Sequence, residues 1–408
     1  MRLKVIIFIL LISIIFIGGC KQDNLDLDEP DIEIPNNNNE EAVDSIGYKV
    51  KSMSLEEKIG QLMIVGFDGI DINEEIVRFI EDFKVGGFIL FARNIVDESQ
   101  TLKLLNDIKD ANTNSDIPLF LSIDEEGGKV SRLPKSFAKL PEAMKIGKKN
   151  DKNISYRFGN ILGQRVSALG FNMNFAPVLD INSNPKNPVI GSRAFGTTID
   201  QVVNNGLEVM NGIRDIGVIP AVKHFPGHGD TDVDSHVKLP RVDKTIEELK
   251  SFELIPFIEA IKKNVDMVMV AHILYPEIDK EYPATMSSRI IEGVLREELN
   301  YDGVIVSDDM TMGAIVQNYT LEDGVLSFIK AGGDIALVCH GEDNPGKVFE
   351  KIKEAIETGE ITQEDIDKKV YRILELKEKY KLEDKETGRI SLKTLNNDTR
   401  ELIEEINK

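Results

Sequence analysis

The chain has 408 residues, 41% of them hydrophobic, and a formal net charge of −21. That composition is enough for a large core, and its length admits either two or three ordinary domains or one (β/α)8 barrel. No basic stripe of the kind nucleic acid needs is visible, so nucleic-acid partners are excluded, and the acidity argues against other polyanionic ligands.

The N-terminus opens with Arg2 and Lys4, an apolar run from Val5 to Ile17, and then Gly18, Gly19 and Cys20. This order reads as a secretory signal over residues 1–19. Ile17-Gly18-Gly19-Cys20 resembles a bacterial lipobox, which implies cleavage before Cys20 and lipidation of its sulfur. An uncleaved membrane anchor is the other reading, and both place the rest of the chain outside a membrane. Residues 20–45 are acidic and Asn-rich, including Asn36 to Asn39, and read as a disordered tether behind the lipid. The second cysteine, Cys339, is then left without a partner and reads as a buried strand-end residue.

From residue 46 short apolar runs alternate with amphipathic stretches. Strands are predicted at Leu62–Gly66, Gly87–Phe91, Leu119–Ile123, Met173–Val178, Ala221–Phe225, Met267–Ala271, Val304–Ser307 and Ile335–Cys339. Helices are predicted between most of them, at Asn73–Phe83, Thr101–Ala111, Ser155–Leu169, Ile246–Lys263 and Ser288–Leu299. Eight such units predict an α/β fold, a (β/α)8 TIM-like barrel forming a single catalytic domain over residues 46–381. A doubly wound open sheet is the alternative, but no phosphate-binding glycine motif opens a helix. Several strands end in polar clusters: Asp124 to Gly128, Lys223 to His228, Ala271-His272 and Ser307 to Asp309. A barrel gathers such ends on one face. Thr362, with Asp365 three residues on, marks the start of a last helix. Residues 382–408 form a charged tail with a helix predicted from about Asp398.

Three of the five histidines fall in Lys223-His224-Phe225-Pro226-Gly227-His228-Gly229-Asp230-Thr231-Asp232-Val233-Asp234-Ser235-His236. Imidazole exchanges protons near neutrality, and a neighbouring carboxylate orients it and stabilises its charged form. Asp234 and His236, one residue apart, can form such a pair. His224, His228, Asp230 and His236 are also possible metal ligands, but their spacing matches no zinc pattern, so no metal and no cofactor are expected. His228 reads as structural, and Asp230 and Asp232 as loop-shaping through backbone bonds. The loop 229–236, half Gly and Asp, is expected to be mobile.

This segment resembles the signature of family 3 glycoside hydrolases, in their β-N-acetylglucosaminidase branch. The resemblance extends over roughly residues 48–380 through Gly87 to Asn94, Asp124 to Gly128, Gly191 to Gly196 and Asp302 to Met310. It implies Asp308, after Ser307, as nucleophile, and His236 paired with Asp234 as acid/base. It implies sugar binding by Asp124, Arg132, Arg193, Lys223 and His224, with Arg93 a weaker candidate. A retaining glycosidase needs one attacking carboxylate and one proton donor, and a His can donate because it already titrates near working pH. Asp308 must stay ionised, and Lys223 and the arginines are expected to hold its pKa down. Adjacent strand residues point to opposite faces, so only one of Asp308 and Asp309 is expected to face the barrel axis.

The implied reaction is exo-acting, retaining removal of terminal β-linked N-acetylglucosamine from a glycan, with cell-wall muropeptides as the implied source. The absence of tryptophan, a common sugar-stacking residue, counts mildly against a carbohydrate site. The resemblance leaves open a phosphorylase, with phosphate in place of water. A lipid-anchored sugar-binding protein is the remaining alternative. The enzyme is expected to act as a monomer, held to the membrane by its lipid.

Overall fold

The computed structural model describes residues 44–389 and 391–408. Cys20, the signal and most of the tether lie outside the described residues. Eight parallel strands, β1 (Met63–Val65), β2 (Gly87–Leu90), β3 (Phe120–Ile123), β4 (Met173–Asn174), β5 (Ile219–Phe225), β6 (Met267–Val270), β7 (Val304–Asp309) and β8 (Ile335–Val338), close in sequence order into a barrel. β1 closes it by pairing with both β2 and β8, with Ile64 opposite Gly87 on one side and Leu337 on the other. The strands are almost wholly buried. They read as apolar runs rather than alternating ones because helices cover their outer face.

Helices follow where local signals start them. Ser54 and Glu57 form a reciprocal capping box before Leu55–Gln61, and Thr245 and Glu248 another before Ile246–Ser251. Thr362 accepts from the Asp365 N–H at the start of Gln363–Lys379, as expected from the sequence. The stretch predicted as one helix over 246–263 is two, Ile246–Ser251 and Ile255–Lys262. Pro256 lacks an N–H and suits the first turn of a new helix, so the chain breaks ahead of it. The fourth strand is cut to two residues, since Pro177 cannot donate to a ladder.

β5 and β7 are the two irregular strands. Their register shifts between Val222 and Phe225, and between Val306 and Asp309. Such irregularities re-aim side chains at a strand end. Both carry residues singled out for chemistry.

The tail is not loose. Asp384 accepts from Asn112 Nδ2 (2.6 Å) and from the Leu119 N–H (3.2 Å). The last helix, Leu392–Asn407, starts earlier than predicted and packs on Lys152–Leu169, burying Leu395, Leu402 and Ile406. Asn396 receives the Ala138 N–H (2.6 Å) and donates to the Ser136 carbonyl (2.8 Å), so it braces the segment after β3. The helix is set by this apolar stripe at helical spacing, a stronger signal than the charge around it.

Candidate active site

A cavity of about 240 Å³ opens at the C-terminal end of the barrel, lined by residues from the ends of most strands. Its floor is apolar, formed by the buried side chains Ile89, Phe175, Met269 and Leu337. Its walls carry Asp124, Arg132, Arg193, Lys223, His224, His236 and Asp308. All five expected sugar-binding residues and the expected nucleophile and acid/base therefore share one cavity.

Lys223 is buried between two carboxylates. Its Nζ donates to Asp124 Oδ1 (2.6 Å) and lies 2.7 Å from Glu126 Oε1. Burial alone would lower its pKa, but Asp124 and Glu126 outweigh that and raise it. Arg193 forks onto Glu126 through Nε (2.9 Å) and Nη2 (2.7 Å). Burial would raise the Glu126 carboxyl, yet Arg193 and Lys223 hold it far below the usual range. Glu126 thus organises two of the expected sugar ligands, a role not assigned from the sequence.

His224 is oriented from behind. Its Nδ1–H donates to Asp180 Oδ2 (2.6 Å), leaving Nε2 toward the cavity beside Arg193 (3.4 Å). Asp180 also accepts the backbone N–H of His228 at 2.6 Å. Burial would raise the Asp180 carboxyl, and His224 and the His228 N–H pull it lower. Asp180 was missed from sequence, although it ends the fourth apolar run as Asp124 ends the third. Arg132, by contrast, is free: its guanidinium makes no hydrogen bond among the described residues, and its Nε is buried. It is the cation left for a ligand.

Asp308 and Asp309 both line the cavity, against the expectation that only one would, because the register slips ahead of them. Their surroundings separate them. Asp309 Oδ1 is already taken by the Thr311 N–H (2.9 Å), the Thr311 hydroxyl (2.7 Å) and the Cys339 N–H (3.3 Å). Among the described residues Asp308 accepts only the Asp309 N–H on Oδ1 (2.8 Å), which leaves Oδ2 free. Burial would raise its pKa, but His272, His224 and that N–H bring it down to about 2. The residues that keep it ionised are therefore led by histidines, not by Lys223 and the arginines as expected. His272 is fixed between Thr285 Oγ1 (2.6 Å) and the Asp309 carbonyl (2.9 Å).

His236 sits on the exposed loop after β5. Its Nδ1–H donates to Asp234 Oδ1 (2.8 Å), which also accepts the His236 backbone N–H (2.9 Å). Nε2 is left available to a ligand. Burial would raise the Asp234 carboxyl, but the two bonds from His236 outweigh that and lower it. The loop starts tightly: a Cβ on Gly229 would fall 1.8 Å from the Ile181 carbonyl, so only glycine passes there. Asp230 pairs with Lys244 (2.7 Å) rather than with backbone.

Three other expectations resolve. Both ring nitrogens of His228 are taken by protein, Nδ1 with Thr231 Oγ1 (2.8 Å) and Nε2 with Ser235 Oγ (3.1 Å), and burial lowers its pKa to about 4. His228 is structural, as read. Arg93 does not line the cavity; it is spent on the Phe67 and Cys339 carbonyls and on Asp68. Cys339 is fully buried at the end of β8, and burial pushes its thiol well up, so it is inert.

This chain is 36% identical over 329 residues to Beta-hexosaminidase A of Pseudoalteromonas piscicida, covering 75% of this chain and 55% of that protein. It therefore spans little more than half the length of that relative. It is 32% identical over 294 residues to the Beta-hexosaminidase of Idiomarina loihiensis, covering 71% of this chain and 86% of that one. The solved structure of a glycoside hydrolase family 3 beta-N-acetylglucosaminidase from Paenibacillus sp. str. FPU-7 matches with a TM-score of 0.82 and 40% identity, over 86% of this chain and 68% of that chain. The pattern of the glycosyl hydrolase family 3 N-terminal domain covers residues 54–376, the whole barrel with every wall residue described above, and the chain belongs to that family.

Proposed function

We propose that this protein is an exo-acting, retaining β-N-acetylglucosaminidase that removes terminal non-reducing N-acetylglucosamine. The observation that carries the reading is one small blind cavity holding an ionised Asp308 with a free Oδ2 and a His236–Asp234 pair with a free Nε2. Asp308 Oδ2 forms the bond to the anomeric carbon as the bond to the leaving oxygen breaks. Protonated His236 donates from Nε2 to that oxygen. The neutral imidazole then takes a proton from water, whose oxygen displaces Asp308 and restores the β configuration. Asp234 stabilises the imidazolium present before the first step and regenerated in the second. Asp124, Lys223, His224 and Arg132 supply hydroxyl-binding donors and acceptors. A cavity of about 240 Å³ suits one sugar residue, which supports exo action. Hydrolysis of the p-nitrophenyl N-acetyl-β-glucosaminide with retention tests this, and absence of turnover with or without phosphate would overturn it. Glycosyl phosphate as the product would indicate a phosphorylase.

His236→Ala is expected to lower kcat by about 10²- to 10⁴-fold on a chitobiose-type substrate, the usual worth of a positioned acid. With a dinitrophenyl leaving group, which needs little protonation, kcat/KM, which reports glycosylation, is expected to fall little, while kcat still falls because His236 is also the base for water. Equal losses of kcat/KM on both would remove His236 from the acid role.

The proposed setting is the outer side of a membrane, with muropeptides as substrate and Cys20 as the lipid site. Support comes from Ile17-Gly18-Gly19-Cys20 behind the apolar run. Cys20→Ser is expected to move the protein from the membrane to the soluble fraction, read by fractionation and immunoblot. Unchanged membrane retention would favour an uncleaved anchor.

A further inference from the structure

The segment that carries Asp234 and His236 is exposed: the two side chains keep 39% and 64% of their surface. An exposed imidazole cannot be aimed by packing, so its position has to come from whatever holds the backbone on either side of it. Those holds are few. Ser235, between the two, is buried, and its hydroxyl meets His228 Nε2. Its carbonyl accepts the Ala314 N–H at 3.1 Å. The carbonyl of Val237, directly after His236, accepts Gln317 Nε2 at 2.9 Å. A Cβ on Gly313 would stand 2.7 Å from the His236 carbonyl and 3.0 Å from that of Val237, so the segment can sit this close only over glycine.

Ala314 and Gln317 belong to the short helix Gly313–Val316 and its end. That helix follows β7, five residues beyond Asp308. The acid/base segment, which leaves β5, therefore docks onto the element that leaves the nucleophile's strand.

We propose that Gly313 and Gln317 form a latch that sets His236 relative to Asp308, and that Gln317 is a positioning residue for proton donation. The latch touches neither sugar nor reacting atoms. It acts on the distance between Nε2 and the leaving oxygen, where a displacement of about 1 Å is worth up to about 100-fold in rate. The inference rests on the glycosidase reading above.

Gln317 is exposed, so removing its amide leaves the core intact. Gln317→Met keeps the length and loses the donor. It is expected to lower kcat/KM on N,N′-diacetylchitobiose about tenfold, while kcat/KM on the dinitrophenyl glycoside, which needs little protonation, falls by no more than about twofold. Gln317→Lys, which restores a donor, is expected to recover most of the chitobiose rate, and Tm to stay at the wild-type value in both. Gly313→Ala, which displaces the segment outright, is expected to widen the gap between the two substrates. Equal loss on both substrates, or none, overturns the latch while leaving the glycosidase reading standing. A wild type that turns over neither substrate overturns both.

Discussion

Asp308→Asn is expected to lower kcat by at least about 10⁴-fold, the scale seen when a covalent nucleophile is removed from a machinery whose other parts remain. The amide keeps an oxygen to accept the Asp309 N–H, so the strand end is undisturbed, but it has no anionic oxygen to attack carbon. The loss should be as large on the dinitrophenyl substrate as on chitobiose, because a good leaving group does nothing to replace a missing nucleophile. That contrast with His236→Ala separates the two roles. In the wild type, a slow substrate should leave a glycosyl adduct on the peptide containing Asp308, read by mass spectrometry. Asp308→Asn turnover within tenfold of wild type, or an adduct on Asp309, would move the nucleophile, against three hydrogen bonds that already occupy Asp309 Oδ1.

The largest expected effect on stability lies at the other end of the barrel. Asp334 is fully buried just before β8. It binds Arg296 Nη2 (2.5 Å), Arg372 Nη2 (2.7 Å) and the Ile305 N–H (2.7 Å), so one carboxylate ties β7, β8 and the helix Gln363–Lys379. Asp334→Ala is expected to cost about 3–5 kcal/mol, because it strands a buried Arg296 as well as deleting the bonds. Urea or thermal unfolding measures it, and a loss below about 1 kcal/mol would refute the tie. The same group carries a pH signature. Burial would raise its pKa, but Arg296 and Arg372 hold it below the ordinary carboxylate value. Its contribution is therefore complete above the unfolded value near 4 and fades as pH falls through the lower folded one. The variant should unfold with a shallower acid dependence than the wild type.

The barrel was legible because its two periods are unambiguous: buried runs such as Val304-Ile305-Val306 between amphipathic helices admit few other folds. The site was legible because barrel topology sends strand ends to one face, so Asp124, Lys223 and Asp308 could be grouped with no contact known. What stayed hidden depended on departures from regularity. Strict alternation forbids Asp308 and Asp309 from sharing a cavity, and only the slipped register of β7 permits it. Asp180 stands beyond the proline that cuts β4 short, so although it ends an apolar run it does not directly follow a strand as Asp124 does. The early start of the last helix was masked by charge that lies on its outer face, and Arg93 was drawn to the pocket by type alone while its guanidinium braces two carbonyls.

The apolar floor beneath Asp308 has a consequence for traffic. A barrel interior is packed, so the cavity has a single doorway and no back exit. On the proposed reaction the leaving group, which stands in the doorway, must depart before water can enter, and the sugar at the far end goes last. Free N-acetylglucosamine should then compete with substrate for the berth, while the departed fragment should not. A long glycan cannot be threaded through such a berth; it must let go and dock afresh after every residue removed. The protein should therefore shorten many chains a little rather than a few chains completely, and the size distribution of partially digested oligosaccharides would record that.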